Sequence, residues 1–347
     1  MKIFYAVQAT GNGHISRAKE LMPYLQQYGE VDVFLSGNNS DLEVELPVKF
    51  RSRGLSLYYH KHGGLNYWKI LRELRLRRVF SFASQLPLED YDIIINDFES
   101  LTAYACRIKK LPSINFGHQA SFQSNKVPRP WKKDFVGELI LKKYAVASTY
   151  VGLHFKQYDD FIFNPVIKEA ILKADPKDNG YITVYLSHYA DEVVAQQLRK
   201  ITGQRFEIFS KKIRTKAVAG NITYLPVSNN TFNKSLVNCT GIITGAGFET
   251  PAEALYLAKR LLCLPIKGQY EQYCNAEALK NFNVPVICSI TERFNEEITQ
   301  WLNGSLPVRL TLTNTTAGIV EHVINKALHL NNNTRRQANG QVFTQTV

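Results

Sequence analysis

The sequence predicts an α/β fold in which two doubly wound, mainly parallel sheets face each other across a cleft. Short apolar runs alternate with helical stretches in the first half of the chain, which is typical of strands joined by crossover helices. A dense set of turn signals over residues 158–179 interrupts this pattern, and the same alternation begins again at residue 181. The chain therefore repeats one architecture twice.

Length and turn chemistry predict two domains and a linker. A chain of 347 residues, 45% of them hydrophobic, is long enough for two separate cores. Asn164-Pro165 and Asp178-Asn179-Gly180 are strong turn signals and bound the linker. The polar run from Asn331 offers little apolar surface that folding could bury, and it therefore predicts disorder. The expected units are a first domain (1–163), a linker (164–179), a second domain (180–330) and a disordered tail (331–347).

The first half opens with a strand, a glycine loop and a helix. An apolar strand runs into Gly11-Asn12-Gly13-His14, and a later buried strand ends at Asn96-Asp97. The predicted strands are residues 3–7, 31–35, 92–96 and 113–116, with helices over residues 16–28 and up to residue 109. In the second half we expect strands at residues 181–186, 206–209, 222–225, 242–243, 261–264 and 284–288, and helices at residues 190–202, 291–303 and 316–328.

Residues 242–276 contain the most informative local chemistry. After the strand at 242–243, Gly245 and Gly247 open a tight loop, and Thr250-Pro251 is typical of a helix start. A helix N-terminus above a glycine turn is a natural phosphate site, because free N–H groups and the helix dipole both point there. The next strand ends at Pro265 and leads to a second helix with polar side chains. These features together predict a site for a nucleotide-sugar.

A structural explanation exists for part of this pattern. The Thr250-x-x-Glu253 spacing is also that of a capping box, which needs no ligand, although the two roles can coexist. The two glycines alone are weak evidence, since any tight turn favours glycine.

Charge and cysteine content limit the classes of partner. The formal net charge of +12 indicates an anionic partner, such as a nucleotide, a phospholipid surface or a nucleic acid. The five cysteines are scattered without metal-ligand spacing, which fits a reducing cytosol and predicts no metal site. No apolar run approaches the ~20 residues that a membrane span needs, and the run at 3–7 is too short for a signal sequence.

Two segments combine basic and aromatic residues. Residues 51–78 carry eight Lys or Arg residues against one Glu, and residues 126–143 place Trp131 between Pro130 and Lys132-Lys133. Each segment is either a solvated helix face or an interfacial patch for anionic headgroups or a phosphorylated acceptor.

The N-terminal glycine loop does not fit the common nucleotide motifs. Ser16 replaces the third glycine of the dinucleotide fingerprint, and no acidic residue follows the second strand to hold a ribose. Walker and HExxH motifs are also missing from the sequence.

Several segments resemble the GT-B class of glycosyltransferases. GAGFETPAEAL at residues 245–255 is similar to their G-[WF]-x-[ST]-x-x-E-A-L segment, and residues 265–276 resemble their P-x(n)-[EDQ]-Q-x-x-N-A segment. The lipid-II-forming N-acetylglucosaminyltransferases and the family 1 natural-product glycosyltransferases carry versions of both. GNGHISRA at residues 11–18, and residues 96–119, resemble a bacterial and archaeal subgroup of this class. The resemblance covers most of residues 1–330 and implies two Rossmann-like domains.

The resemblance implies a role for individual residues. His14 would be the general base that deprotonates an acceptor hydroxyl, oriented by Asp97. The donor diphosphate would lie at Gly245, Gly247 and Thr250, and the ribose at Glu253. The sugar hydroxyls would meet Gln269, Glu271 and Gln272, while Asn275 braces that loop. The loop that binds acceptor or phosphate would include Gly11, Gly13, Arg17 and His118. No metal and no cofactor is implied, and a UDP-sugar is the favoured donor.

Alternatives remain open for several of these residues. His14 or Asp97 would serve equally well as a helix cap, and loop polarity alone explains His118 and Gln119. Glu249 departs from the family pattern, because many relatives have Asn or Ser there and a carboxylate repels phosphate unless it meets a base.

The expected activity is an inverting, metal-independent transfer of a sugar to a hydroxyl acceptor, with a lipid-linked or cell-envelope molecule as one candidate for that acceptor. We expect a cytoplasmic protein, with peripheral contact to the inner face of the membrane as an open option. One alternative is a nucleotide-sugar 2-epimerase on the same fold. Another is an inactive protein that binds anions or membranes through its basic segments, whereas nucleic-acid binding lacks a supporting motif.

Overall fold

A computed structural model describes residues 1–37, 45–53 and 76–342 of the chain. In these ranges the chain forms two sheets of mainly parallel strands, each flanked by helices, as the alternating pattern predicts. We refer to the sheet of residues 2–163 with its helices as the first lobe and to the sheet of residues 181–263 with its helices as the second lobe.

The first lobe contains a seven-stranded sheet in the order β3-β2-β1-β4-β5-β6-β7. All its paired strands are parallel. The winding reverses between β1 and β4, and the carboxyl ends of strands at such a point form the usual binding crevice of an open α/β sheet. The strands are β1 (Lys2–Gln8), β2 (Glu30–Ser36), β3 (Val48–Ser52), β4 (Ile93–Asp97), β5 (Ile114–Gly117), β6 (Thr149–Leu153) and β7 (Ile162–Phe163).

The helices of this lobe follow the strands as crossover elements. They are α1 (Asn12–Leu25), α2 (Leu76–Gln85), α3 (Ser100–Lys109), α4 (Phe135–Lys143) and the short α5 (Glu169–Leu172) in the segment between the lobes. The α1 helix begins four residues before the predicted start, so the glycine loop is shorter than the sequence suggests. The predicted basic segment at 51–78 lies mostly outside the described residues.

The second lobe has a six-stranded sheet in the order β10-β11-β9-β8-β12-β13. Only β10 pairs antiparallel among these strands. The strands are β8 (Tyr181–Tyr185), β9 (Arg205–Ser210), β10 (Ala217–Ala219), β11 (Ile222–Pro226), β12 (Gly241–Thr244) and β13 (Arg260–Cys263). The helices are α6 (Asp191–Leu198), α7 (Asn229–Asn238), α8 (Glu249–Tyr256), α9 (Tyr270–Lys280) and α10 (Phe294–Asn303).

One predicted strand of the second lobe is not formed. The apolar run at residues 284–288 makes only an isolated bridge between Val286 and Cys263. Pro285 lies inside this run, and proline has no N–H to donate to a ladder. The prediction of a strand at 284–288 is therefore wrong.

The last helix, α11 (Thr316–Val342), crosses back to the first lobe. Its Lys326 Nζ donates to the Tyr150 carbonyl oxygen at 3.0 Å, and the His322 ring packs on Phe163. Residues 316–330, which the sequence assigns to the second domain, therefore pack on the first sheet. The backbone is helical through Val342, which differs from the disorder expected from Asn331.

Both sheets are buried by helices, which explains why their strands read as apolar runs rather than alternating ones. Every residue of β1 after Lys2 is buried. In the second lobe, Trp301 of α10 is 5% exposed and packs against Gly241, the first residue of β12.

The two tryptophans Trp301 and Trp131 provide a matched test of this packing. Trp301→Ala should lower the free energy of unfolding by about 3–5 kcal/mol, because it leaves a large cavity beneath the sheet. Trp131 is fully exposed, so Trp131→Ala should change it by less than about 0.5 kcal/mol. Urea denaturation, with the midpoint and slope of each transition, gives the free energy of unfolding of both variants. Equal losses in Trp301→Ala and Trp131→Ala would contradict the assigned packing.

Candidate active site

A cavity of about 410 Å³ lies between the two lobes. It forms where the carboxyl ends of β1, β4 and β5 face the loops that follow β12 and β13, as the sheet topology predicts for a ligand site. From the first lobe it is lined by Gln8, Thr10, Gly11, Gly13, His14, Phe98, His118, Gln119, Gly137, Ile140 and Leu141. From the second lobe it is lined by Gly247, Phe248, Glu249, Gly268, Gln269, Tyr270, Glu271 and Gln272.

His14 and Asp97 are in direct contact at the wall of this cavity. The His14 Nδ1 atom lies 2.9 Å from Asp97 Oδ1. His14 lies in the first turn of α1, which Gly11 precedes as N-cap, and Asp97 is the fully buried last residue of β4. The capping alternatives do not apply, because Glu99 caps α3 by accepting from the N–H groups of Leu101 and Thr102.

Arg17 holds the other side of the Asp97 carboxylate. It lies one turn after His14 on α1, and its Nε and Nη2 atoms donate to the two carboxylate oxygens at 3.1 and 2.7 Å. Burial alone would raise the pKa of Asp97, but the positive charge of Arg17, together with His14, holds that pKa below its ordinary value. Asp97 is therefore an ionised carboxylate inside the protein.

Glu249, which the family pattern leaves unexplained, meets a base from the opposite lobe. Its carboxylate accepts a hydrogen bond from Arg17 Nη1. A Cβ atom at Gly13 would lie only 2.6 Å from Glu249 Oε2, so glycine permits the close approach of the two helix N-termini. The negative charge of Glu249 is thereby balanced inside the cleft.

His118 joins the lobes at the back of the cavity. Its Nε2 atom lies 2.9 Å from Asn275 Oδ1, and its ring stacks on Phe248 with centroids 3.9 Å apart. Burial is the main cause that lowers the pKa of His118, so the ring is neutral near pH 7. Asn275 Nδ2 donates to the Ala246 carbonyl oxygen at 3.1 Å and braces the glycine loop.

The polar residues of α9 and the loop before it face the cavity as a group. The Gln119 amide nitrogen lies 3.1 Å from both Glu271 carboxylate oxygens and 3.5 Å from His14 Nε2. Gln272 accepts from the Ile266 N–H at 2.9 Å and donates to Gln269 Oε1 at 2.7 Å. The structure therefore brings the predicted sugar-binding residues within reach of the predicted base.

Comparison with known proteins agrees with this geometry. The model of glycosyl transferase family 1 matches residues 1–305. The chain belongs to glycosyl transferase family 1. No curated protein sequence matches it. The enzyme is therefore a glycosyltransferase, as the resemblance of residues 245–276 implies.

Solved structures with the same architecture are glycosyltransferases of the GT-B fold. The spinosyn forosaminyltransferase SpnP is 12% identical, with a TM-score of 0.55 over 94% of this chain and 95% of its own. UGT89C1 of Arabidopsis thaliana in complex with UDP-L-rhamnose is 15% identical, with a TM-score of 0.55 over 95% and 97%. UGT2 of Phytolacca americana, complexed with UDP-2fluoro-glucose and pterostilbene, is 11% identical, with a TM-score of 0.56 over 88% and 90%. At these identities the likeness establishes the fold.

The capping box predicted at Thr250 in this glycosyltransferase is wrong. The α8 helix begins at Glu249 and its N-cap is Phe248, with no side-chain capping bond. Thr250 lies inside the first turn, and neither Thr250 nor Glu253 lines the described cavity. Glu253 instead pairs with Lys168 of the segment between the lobes, and a local sequence pattern cannot reveal such a distant contact.

Glu253 forms a buried ion pair with Lys168 from the segment between the lobes. The side chain is 1% exposed, and Lys168 Nζ lies 3.1 Å from Glu253 Oε1 and 3.3 Å from Asn233 Oδ1. Burial raises the pKa of Glu253 to about 7, because loss of solvent outweighs the attraction of Lys168. The carboxyl group therefore changes its protonation near neutral pH.

Sequence reasoning missed several residues of the glycosyltransferase cavity. Gln8 is 2% exposed, and among the described residues its amide has no hydrogen-bond partner. A polar residue that ends an otherwise apolar strand was the available signal. Phe98 adopts a left-handed backbone conformation (φ 56°) beside Asp97, a form of strain common at functional sites. Phe248 fills the aromatic position of the G-[WF]-x-[ST] segment, which was its signal, whereas Tyr270 had none because its place in the cavity depends on lobe packing.

Residues 1–37, 45–53 and 76–342 contain no group of three or more His, Cys, Asp or Glu side chains placed to hold a metal ion. None of the helices in that part of the chain is both long and apolar enough for a membrane span.

The Glu253 carboxyl predicts a specific pH dependence of stability. Its folded pKa of about 7 exceeds its ordinary value of 4.5, so the unfolded chain releases this proton first as pH rises. Stability from this group is present below pH 4.5 and is lost as pH rises to about 7, at no more than about 1.4 kcal/mol per pH unit. Glu253→Gln should flatten that slope in urea denaturations at pH 4.5–7.5.

Glu296→Gln serves as the control, because Glu296 is an exposed carboxylate paired with Arg293 on the surface. That variant should keep the wild-type slope. An unchanged slope in Glu253→Gln would show that burial does not govern this carboxyl group.

Proposed function

We propose that this glycosyltransferase moves a sugar from a nucleoside-diphosphate sugar to a hydroxyl acceptor with inversion at the anomeric carbon, with His14 as the base. The contact of 2.9 Å between His14 and Asp97, at a cavity shared by both lobes, supports this proposal most directly. Inversion requires a base on the face of the sugar opposite to the leaving diphosphate. His14 lies on the first lobe, whereas the donor-side helix belongs to the second.

The proton path follows from the two ring nitrogens of His14. Nδ1 is held by the ionised Asp97 carboxylate, so Nε2 is the nitrogen that takes the proton from the acceptor hydroxyl. As the acceptor oxygen bonds to the anomeric carbon, the bond from that carbon to the diphosphate oxygen breaks. The imidazolium that forms is stabilised by Asp97.

The second lobe can stabilise the donor diphosphate with the N-terminus of α8, and this needs no metal ion. The N-terminus of α8 presents free N–H groups after the Gly245–Gly247 loop, where charge builds on the leaving diphosphate. Thr250 lies in that first turn, and Gln269, Glu271 and Gln272, which line the cavity, would bind the sugar hydroxyls. Structures of Arabidopsis thaliana UGT89C1 contain UDP or UDP-L-rhamnose, which favours a UDP-sugar here.

Glu253 would reach a ribose only after a local change. In the described structure its carboxylate is paired with Lys168 outside the cavity. For Glu253 to bind the ribose, the segment around Lys168 would therefore have to move when the donor binds. We retain Glu253 as a proposed ribose contact on this condition.

The acceptor side is apolar and continues to an unusual surface. Phe98, Ile140 and Leu141 line the cavity, and the outer face of α4 exposes Phe135 and Leu139. We define the α4 ridge as exposed Trp131, Phe135 and Leu139 with the neighbouring exposed Lys132, Lys133 and Lys143. Aromatic and basic side chains in this arrangement suit an anionic membrane surface. We infer a lipid-linked acceptor that enters along α4 at the cytoplasmic face of a membrane.

His14→Ala should reduce the rate of transfer by roughly 100- to 10,000-fold, because it removes the imidazole that takes the proton from the acceptor hydroxyl. Binding of UDP or a UDP-sugar, measured by calorimetry, should stay within about twofold of wild type. A thermal-shift screen of UDP, GDP, TDP and their sugars first identifies the donor. Full transfer activity in His14→Ala would refute the base assignment, and conversion of the donor alone would favour an epimerase.

The α4 ridge predicts binding to vesicles that contain anionic phospholipid. Replacing both Trp131 and Phe135 with Ala should weaken sedimentation with such vesicles by at least about tenfold, since each aromatic ring buries apolar surface. Leu306→Ala is the matched control, because Leu306 is an exposed apolar residue of the second lobe. Equal binding of the ridge variant and wild type would exclude the ridge as a membrane contact.

A further inference from the structure

Arg17 and Glu249 connect the lobes through a contact to which the proposed reaction assigns no role. Arg17 belongs to α1 of the first lobe, and Glu249 is the first residue of α8 in the second. One edge of the guanidinium donates to Asp97, while Nη1 donates to Glu249. A continuous chain of polar contacts thus runs from the second lobe to the base at His14.

The nearest charges to His14 are those of Arg17 and Asp97. Arg17 Nη2 lies 3.0 Å from His14 Nδ1, and Asp97 Oδ1 lies 2.9 Å from the same atom. A guanidinium at this distance opposes protonation of the imidazole, and a carboxylate favours it. These two charges largely cancel, so the pair alone offers the base little net assistance.

The remaining ionisable groups near His14 belong mainly to the second lobe. The Glu271 carboxylate is separated from the imidazole by the Gln119 amide. His118, at the end of β5, is kept neutral because burial lowers its pKa. Glu249 therefore supplies the charge that makes the group around Arg17 negative overall.

We propose that Glu249 is a positioning residue that carries, across the closed cleft, the negative charge by which His14 accepts the acceptor's proton. This inference rests on the proposed role of His14 as base. Glu249 neutralises Arg17 and leaves the Asp97 carboxylate to stabilise the imidazolium. Because Glu249 reaches Arg17 only from the second lobe, opening of the cleft withdraws this charge, and the base is strongest when the lobes enclose the substrates.

The local packing supports a defined position for the carboxylate. Glu249 Oε2 lies so close to Gly13 that any Cβ atom there would approach it within 2.6 Å. The Arg17 side chain is 2% exposed and the Glu249 side chain 22% exposed, so solvent screens this pair only in part. The charge of Glu249 therefore acts on His14 through Arg17, over short distances at which solvent screens it only in part.

The decisive experiment is an NMR titration of the His14 imidazole in the free full-length protein, with the signal identified by its loss in His14→Gln. Glu249→Gln keeps the shape and a hydrogen-bond acceptor but removes the charge. The titration midpoint of His14 should be lower than in the wild type, because the group around Arg17 has lost one negative charge. A midpoint that is unchanged or higher in Glu249→Gln would overturn the proposal.

Glu277→Gln provides the matched control. Glu277 also lies in the second lobe and pairs with Lys280 on the surface, so the variant loses the same charge outside the cavity lining. Its His14 midpoint should equal that of wild type. Should Glu249→Gln fail to fold by circular dichroism, Gly13→Ala displaces the same carboxylate sterically and should lower the midpoint in the same direction.

Kinetics separate this inference from the proposed function. In Glu249→Gln the acid limb of the pH–rate profile for transfer should shift to lower pH with the titration, while the KM for donor stays within about twofold. An inactive His14→Ala variant with an unshifted Glu249→Gln titration would refute the role of Glu249 alone. A fully active His14→Ala variant would refute the base assignment, whatever the titration shows.

Discussion

The buried ion pair between Arg17 and Asp97 is the interaction on which the rest of the site depends. Asp97 ends a central strand of the first sheet with no exposure to solvent, so its charge needs a partner. Arg17 supplies that partner and at the same time reaches Glu249 of the other lobe. Removing one member of a buried pair costs about 3–5 kcal/mol, since the remaining charge stays without compensation. The geometry of His14 is fixed by the same pair.

The contact between the lobes is polar in front and aromatic behind. At the front, charged and amide side chains of Arg17, Glu249, Gln119 and Glu271 meet across the cavity. At the back, the His118 ring stacks on Phe248 and reaches Asn275. The two lobes are therefore joined by charged and amide groups at the mouth of the cavity and by stacked rings behind it.

The segment between the lobes takes part in this balance. Lys168, in the segment between the lobes, pairs with Glu253 of α8. The carboxyl group changes protonation near neutral pH because it is buried, and the return of α11 onto the first sheet ties the second lobe back again. The segment between the lobes and the last helix thus each tie the two lobes together through side-chain contacts.

The sequence by itself determined the two-lobed α/β fold, the glycine loops and the polar residues that gather at the cleft. These features are local: apolar strands, turn residues and motifs such as GNGHIS and EQYCNA have their meaning within a few positions. Most predicted strands agree with the structure within two residues. The run at 284–288 failed because whether an apolar segment joins a ladder depends on its neighbours and on Pro285.

Only the tertiary structure decided which side chains meet. The partners Arg17 and Glu249 are separated by 232 positions, and Lys168 and Glu253 by 85. No periodicity relates residues so far apart, because their contact results from the packing of two separately wound sheets. The apparent capping box at Thr250 shows the same limit: Glu253 pairs with Lys168 of the linker, a residue that no local pattern around Thr250 includes.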